Sequence, residues 1–494
     1  MAISFNNIPS NLRVPLFYAE VDNSLANTGS NDLKALLIGQ MTSEGKAEAG
    51  KPVLVTGDSA GKELFGRGSQ LARMNSAYRD NDTAGEVWAI PVAAASGASK
   101  ASATVTLSGE ATAAGTVYLY VAGVRVSANA AIGDAAAEIA SALADAVNAK
   151  RDLPVDAEAS GTVVTLSAKC AGLAGNDIPV TLNYAGYASG EELPEGISAA
   201  VTVMAGGAGT PDLDAVAAAM GSEEYDFIAM PYADSASIAV FTKLMNDTAG
   251  RWSPTSQLYG HVYTAKRGTV AALQAFGSAL NDQHLTVVGV EQDAQNEAVE
   301  ILGATVARCA KAAIADPARP QQTLELIGIT PTAVGSRWTL SEKQTLLHNG
   351  IATTYVSGGY QRTERMITTY QTNSFGDADT SYLDSETLHT LAYIIRSLKS
   401  VITSKYPRHK LADGGTNYGP GQAIVTPSVI RGELVAQYQR LETKGIVENL
   451  DLFKENLIVE RNADDPNRLD VLLPPDLVNG LRVFAMLAQF RLQY

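Results

Sequence analysis

Cysteine is nearly absent: only Cys170 and Cys309 occur in 494 residues. That excludes a disulfide-stapled scaffold, and two thiols so far apart read as unpaired, buried side chains of a reducing compartment. Positive charge is also short, with 37 Lys and Arg against 52 Asp and Glu, a net charge of −15 and a pI near 4.9. Nucleic-acid binders need a basic footprint, so this balance counts against that class. No apolar run approaches the roughly 18 residues of a membrane-spanning helix. Residues 1–20, MAISFNNIPSNLRVPLFYAE, lack a basic region followed by an apolar block, so no signal peptide is expected.

Catalytic signatures are missing too. The five histidines, His261, His284, His348, His389 and His409, lack a second ligand at the spacings that metal binding favours. There is no G-x-S-x-G elbow to present a strained nucleophile. The nearest approach to a phosphate loop is Gly61–Ser69, but Arg67 and Gly68 stand where a working loop needs Lys and Ser or Thr. The stretch therefore reads as a structural turn. No catalytic, metal or cofactor-binding residue is assigned, and no cofactor is expected.

What is present is a long mixed pattern. At this length the chain exceeds what one core supports, so two to four domains are expected. Residues 1–20 carry Pro9 and Pro15 among spaced apolar residues, Ile3, Phe5, Ile8 and Leu12, and read as an extended arm. Strands are expected over 33–39, 53–56 and 86–92, with a helix over 69–79. Residues 94–206 change composition to Ala, Gly, Ser, Thr and Val. There the pattern reads β-β-α-β-β, with strands in 103–109, 115–128, 161–168 and 177–184. The 115–128 pair joins at Ala122-Gly123, and a helix over 130–149 shows Ile132, Ile139, Leu143 and Val147 on one face. Gly- and Ser-rich joints at 96–99 and 206–209 mark this block as a domain inserted into its host, at 21–93 and 207–380. The host resumes as alternating helices and strands from 213 to 315, which points to a mainly parallel sheet covered on both faces. Residues 316–383 give mixed signals. From 381 a last domain begins, with helices over 385–405 and 428–444 and strands at 457–461 and 469–473.

Two features stand out chemically. Arg396, Lys399, Lys405, Arg408 and Lys410 make a basic cluster in an acidic chain. It is either a solvated helix end, where cations favour the dipole, or a docking patch for an acidic partner. From Leu481 the side chains then divide by parity. Phe484, Met486, Phe490, Leu492 and Tyr494 fall on one side, with Leu481, Val483 and Leu487 on the other. Period two over this length predicts a strand on the order of 45 Å. So apolar a ladder should be paired, within its own sheet or against another chain. Asn479-Gly480 signals a hairpin that would return it along 469–473, although Pro475–Asn479 also fits one helical turn.

Several phrases resemble contractile-tail sheath proteins of Mu-like phages. They are Leu64–Met74 with Glu86–Pro91, Tyr225–Tyr232 followed by Arg251-Trp252 and Tyr259–Tyr263, Thr403–Asp413, Asn449–Asn462, and Arg468–Val478 with Arg482–Ala485. They cover most of the chain outside 94–206, where the likeness is weakest. The resemblance implies a fold of α/β and α+β domains: a central α/β subtilisin-like layer without an active site, the insertion, a C-terminal α+β domain and extended terminal arms. It implies a structural, non-enzymatic subunit stacked as hexameric rings around a tail tube, whose contraction drives the tube through a bacterial envelope. Tail tube, baseplate and terminator proteins would be its partners, with no nucleic acid and no membrane insertion. The subunit would be assembled in the host cytoplasm and end in the virion. Strands from the arms would link neighbours by joining their sheets. The competing readings are an intracellular α/β enzyme with the insertion as a lid, and a surface adhesin.

Overall fold

The computed structural model describes residues 33–414, 418–419 and 421–492. These form two compact units: Leu33–Ala392 together with the segment from Asn479 onward, and Tyr393–Val478. The proline-marked arm, with Ile3, Phe5, Ile8 and Leu12, lies outside the described residues, as does Tyr494.

The first unit is built on strands β1 (Lys34–Gln40), β2 (Val53–Leu54) and β3 (Glu86–Val92), with helices α1 (Asp58–Phe65) and α2 (Gln70–Asn81) between β2 and β3. Ser69 caps α2 by accepting from the Ala72 amide at 3.1 Å. Helix α1 corrects the turn expected over Gly61–Ser69: Gly61 and Phe65 are buried in it, and only the glycines after it turn the chain. A short helix holding a glycine is weak by propensity, and packing rescues it here.

The insertion is richer than β-β-α-β-β. It holds β4 (Lys100–Gly109), β5 (Gly115–Val121), β6 (Val124–Ala130), α3 (Ala136–Ala149), β7 (Val155–Ser160), β8 (Val163–Ala171), β9 (Val180–Leu182) and β10 (Ile197–Val201). Two antiparallel sheets result, in the orders β10-β4-β8-β7 and β6-β5-β9. They share a core with Ile139, Leu143 and Val147 of α3, whereas Ile132 precedes the helix and is exposed. β7 and β10 were missed because VDAEAS and ISAAV carry almost no large apolar residues; their partners decide them.

The host then continues through α4 (Leu213–Ala219), β11 (Phe227–Ala229), α5 (Ser235–Met245), β12 (His261–Gly268), α6 (Val270–Ser278), β13 (Leu285–Glu291), α7 (Ala298–Ala315), α8 (Leu340–His348), β14 (Ile351–Ser357) and β15 (Tyr360–Arg365). One eight-stranded sheet runs β15-β14-β13-β12-β11-β1-β3-β2, parallel except at its two outermost pairs. Alternate residues of β1 serve opposite cores. Ala35 and Leu37 face the layer containing α2 and α7, and Leu36 and Ile38 face α4, α5, α6 and α8. That double burial explains why these strands read as continuous apolar runs. α2 and α7 approach so closely that a Cβ on Gly303 would lie 2.5 Å from the Met74 carbonyl oxygen. Gly303→Ala is a backbone clash and should cost about 1–3 kcal/mol by overpacking, read as a lower urea midpoint.

Helix α9 (Ser385–Lys405) begins in the first unit and ends in the second. The second unit adds β16 (Lys410–Leu411), β17 (Ile424–Val425), α10 (Pro427–Thr443), β18 (Val447–Glu448), α11 (Leu450–Asn456), β19 (Ile458–Arg461), β20 (Leu469–Leu472) and β21 (Asp476–Leu477). Its core is the α10 stripe Ile430, Leu434, Tyr438 and Leu441, with Phe453 of α11 stacked on Tyr438 at 3.7 Å between ring centres.

Candidate assembly surfaces

After β21 the chain forms no strand or helix through Leu492. This corrects three expectations. β20 pairs with β19 rather than with a returning ladder, and neither a hairpin nor a helical turn forms around Asn479-Gly480, because Asp476-Leu477 pairs with β18. Phe484, Met486, Phe490 and Leu492 are 80%, 76%, 83% and 89% exposed. Val483 and Leu487, on the other parity, are equally bare. A strand needs a partner edge, and the described residues of one chain bring none to this segment.

Edges are treated unequally elsewhere. The outer edge of β7 is plugged by Asn148, whose side chain both donates to the Ala157 carbonyl (2.8 Å) and accepts from the Ala157 amide (2.9 Å). β15 is covered by residues 323–326, which exchange backbone hydrogen bonds with Gln361 and Thr363. The β19–β20 hairpin pairs only with itself among the described residues, and Ile458, Val471 and Leu472 are exposed on it. A lone two-stranded hairpin is marginal in water and has two edges to offer.

The basic cluster is less uniform than the sequence suggests. Lys405 Nζ lies 2.7 Å from Glu433, which also accepts from the Tyr406 hydroxyl at 2.9 Å. Lys410 donates to Gln422 at 3.3 Å. Arg396 is half-buried, and Lys399 and Arg408 are exposed.

The interior explains most of the remaining titratable groups. His261 is buried with its Nε2 2.7 Å from the Thr286 hydroxyl, and burial, then His389 and His284, push its pKa well below the usual imidazole range. His389 meets the Tyr263 hydroxyl at 3.0 Å and stacks on Phe227. His284 pairs with Asp247 at 2.7 Å beside Trp252. His348 meets Gln344 at 2.9 Å, and His409 lies edge-on to Tyr406. Histidines scattered in sequence are thus partly gathered in space: His261, His284 and His389 are buried, each meeting a polar partner through Nε2. No group of three His, Cys, Asp or Glu among the described residues could hold a metal ion. Burial pushes both thiols up, so they are poor nucleophiles. No helix among the described residues is long and apolar enough to cross a membrane.

A cleft of about 640 Å³ lies where an enzyme reading would look for a site, lined by Lys62, Arg67, Arg73, Asp80, Arg151 and Asp152 among others. Most of its charges are held in ion pairs. Lys62 pairs with Asp58 (2.8 Å) and Asp152 (3.4 Å), and Arg67 with Asp152 (2.8 Å). Arg73 lies 2.6 Å from Glu297 and 2.7 Å from Glu300.

The insertion is held at more than its joints. Those joints pair with each other, Ser99 with Ala208 and Ser102 with Ala205. Asp177, just before β9, accepts from Arg267 at 2.7 Å and from the Ala298 amide at the head of α7 at 2.8 Å. Arg267 also donates to the carbonyls of Glu291, Gln292, Ala294 and Asn296. Asp177→Ala removes a cap and a charge-assisted bond together. It should cost about 2–3 kcal/mol in urea unfolding and speed protease cleavage near 96–99 and 206–209.

Residues 206–369 match the phage tail sheath protein central domain, and 377–491, including the exposed terminal segment, match the phage tail sheath C-terminal domain. The Mu-like prophage FluMu tail sheath protein of Haemophilus influenzae is 41% identical over 493 residues, 99% of this chain and 100% of that protein. This chain belongs to the phage tail sheath family. It is a structural protein of contractile tails. Two solved structures share the sheath protein's fold at a TM-score of 0.50. The crystal structure of a sheath tail protein from Desulfitobacterium hafniense is 13% identical, with 95% of this chain and 97% of that one covered. The cryo-EM structure of the anti-feeding prophage baseplate, six-fold symmetrised, is 11% identical over 97% and 100%. Neither matched domain range includes residues 1–205, whereas the alignment with the FluMu protein runs through the insertion. Sequence reasoning missed Asp177 and Arg482 in the sheath protein. Arg482 had a signal: between Leu481 and Phe490 it is the only charged residue.

Proposed function

We propose that the sheath protein assembles as stacked hexameric rings around a tail tube and contracts to drive that tube through a bacterial envelope. The observation that carries this is the apolar, unpaired segment 483–492. Its backbone is free to add to a neighbour's sheet, with the open β19–β20 hairpin as the receiving edge. A strand so added is a tether that survives rigid-body rotation of whole subunits. Ile3, Phe5, Ile8 and Leu12 serve the same purpose at the other arm, with Phe484, Met486, Phe490, Leu492 and Tyr494 forming the C-terminal contact. In this reading 21–93 and 207–380 form a non-catalytic, subtilisin-like layer. Residues 94–206 project outward, and 381–494 make the C-terminal domain. The protein is not an enzyme. It acts in the virion tail after assembly in the host cytoplasm, with tube, baseplate and terminator proteins as neighbours.

The basic end of α9, from Arg396 to Lys410, faces the tube. Lys405 also serves Glu433 within its own subunit, so the contact is tested at Arg408, which is exposed. Arg408→Glu should sharply reduce assembly templated by tube while leaving the isolated subunit as stable as wild type. Unchanged templating returns the cluster to a solvated helix end. Negative-stain microscopy of the purified protein tests the whole proposal. Rings or striated tubes are expected, and compact particles of one small size would overturn it.

A further inference from the structure

From Val478 to Leu492 every residue is exposed except one, and that one is a cation. Arg482 leaves only 13% of its side chain accessible. Its Nη2 lies 3.3 Å from Asp384 and pairs with Glu386, both at the head of α9, and its Nη1 donates to Gln322 at 3.2 Å. Gln322 in turn donates to the Leu481 carbonyl at 3.3 Å, so one side chain holds both the guanidinium and the backbone beside it. Arg365 binds Asp384 through two nitrogens, at 2.8 and 2.9 Å. Two guanidiniums and two carboxylates thus close a neutral cluster at a helix N-terminus, where carboxylates are favoured. Gly480 lies against Pro320 so tightly that a Cβ there would be 2.5 Å from the ring.

We propose that Arg482 is the positioning residue that fixes where the C-terminal arm leaves its own subunit. This rests on reading 483–492 as an inter-subunit arm. The chain up to Arg482 stays with the subunit, and the ten residues 483–492 reach outward, on the order of 33 Å when extended. A pull on the arm is delivered to α9 and the residue 320–322 segment through the charge cluster. A neighbour's edge meets the arm in one register because its origin does not slide.

The experiment uses full-length protein. In dissociated wild type, trypsin should cut after Arg491 at least about tenfold faster than after Arg482, since cleavage tracks the population of the open form. Equal rates would overturn the proposal. Arg482→Gln combined with Glu386→Gln leaves no buried carboxylate without its cation. It should keep the wild-type melting temperature yet reduce the sedimentable assembly at least about tenfold. The swap Arg482→Glu with Glu386→Arg should restore it. Wild-type assembly by the double-Gln variant, when truncation after Arg482 abolishes assembly, would overturn the anchor and leave the arm standing. Wild-type assembly by the truncated chain would overturn the arm reading itself, and the anchor with it.

Discussion

Arg73→Met should lower the unfolding free energy by about 3–5 kcal/mol, the cost of leaving a buried charge uncompensated. Arg73 on α2 is 7% exposed and answers two carboxylates at the head of α7, Glu297 and Glu300. Burial alone would lower the guanidinium pKa, but the two carboxylates hold it above its ordinary value. Glu297 has the opposite balance: burial, reinforced by Glu300, outweighs Arg73 and pushes it up to about 7. Folded protein therefore binds more protons than unfolded between the ordinary carboxylate pKa, about 4.3, and about 7, and this group's contribution to stability falls as pH rises through that window. Glu297→Gln should remove that slope. Arg73→Met should extend it to higher pH, because the carboxylate then lacks its cation. Urea midpoints at several pH values measure both, with an unchanged m-value showing that the effect is on stability. Equal midpoints for Arg73→Met and wild type would mean the cluster contributes nothing to holding α2 on α7.

Replacing Phe484, Met486, Phe490 and Leu492 together with serine should convert an assembling protein into a soluble monomer. Each large apolar side chain is worth about 1.5–3 kcal/mol when moved from water to a packed face, so four on one parity supply about 6–12 kcal/mol. That is comparable to the cost of association, so removing it decides whether chains join. The monomer should unfold at the same urea concentration as wild type, since exposed substitutions change stability by only about 0.5 kcal/mol. Val483→Ser with Leu487→Ser, on the other parity, is the comparison. If the arm adds as a strand with its even-numbered face inward, the odd-numbered pair has the smaller effect. Sedimentation velocity separates the outcomes, and a quadruple variant that pellets like wild type would show that these side chains bury nothing between chains.

The elements were legible where packing and periodicity agree. α2, α9 and α10 lie within a few residues of their expected ranges because caps and 3.6-residue stripes are local signals: Ser69 caps α2, and the α10 stripe is buried throughout. β1 and β3 are legible as continuous apolar runs. β7 and β10 were not, because small and polar residues become strands only when β8 and β4 lie beside them. The same limit applies to the site. Arg482, Gln322 and Asp384 are met through contacts spanning as many as 160 residues, and the Asp177 cap on α7 spans 121.

The terminal segment shows the division most clearly. Its alternation, its length and its apolar character follow from the order of residues alone, because side-chain period is a property of neighbouring positions. Whether that alternation becomes a strand depends on finding an edge with unpaired amides and carbonyls, and that is a property of the assembled fold. Here Arg482 ties the chain to its own subunit through Asp384, Glu386 and Gln322. Beyond it, no strand among the described residues of the subunit pairs with the segment, so the sequence determined a strand's pattern and only the tertiary structure decided that it stays unmade.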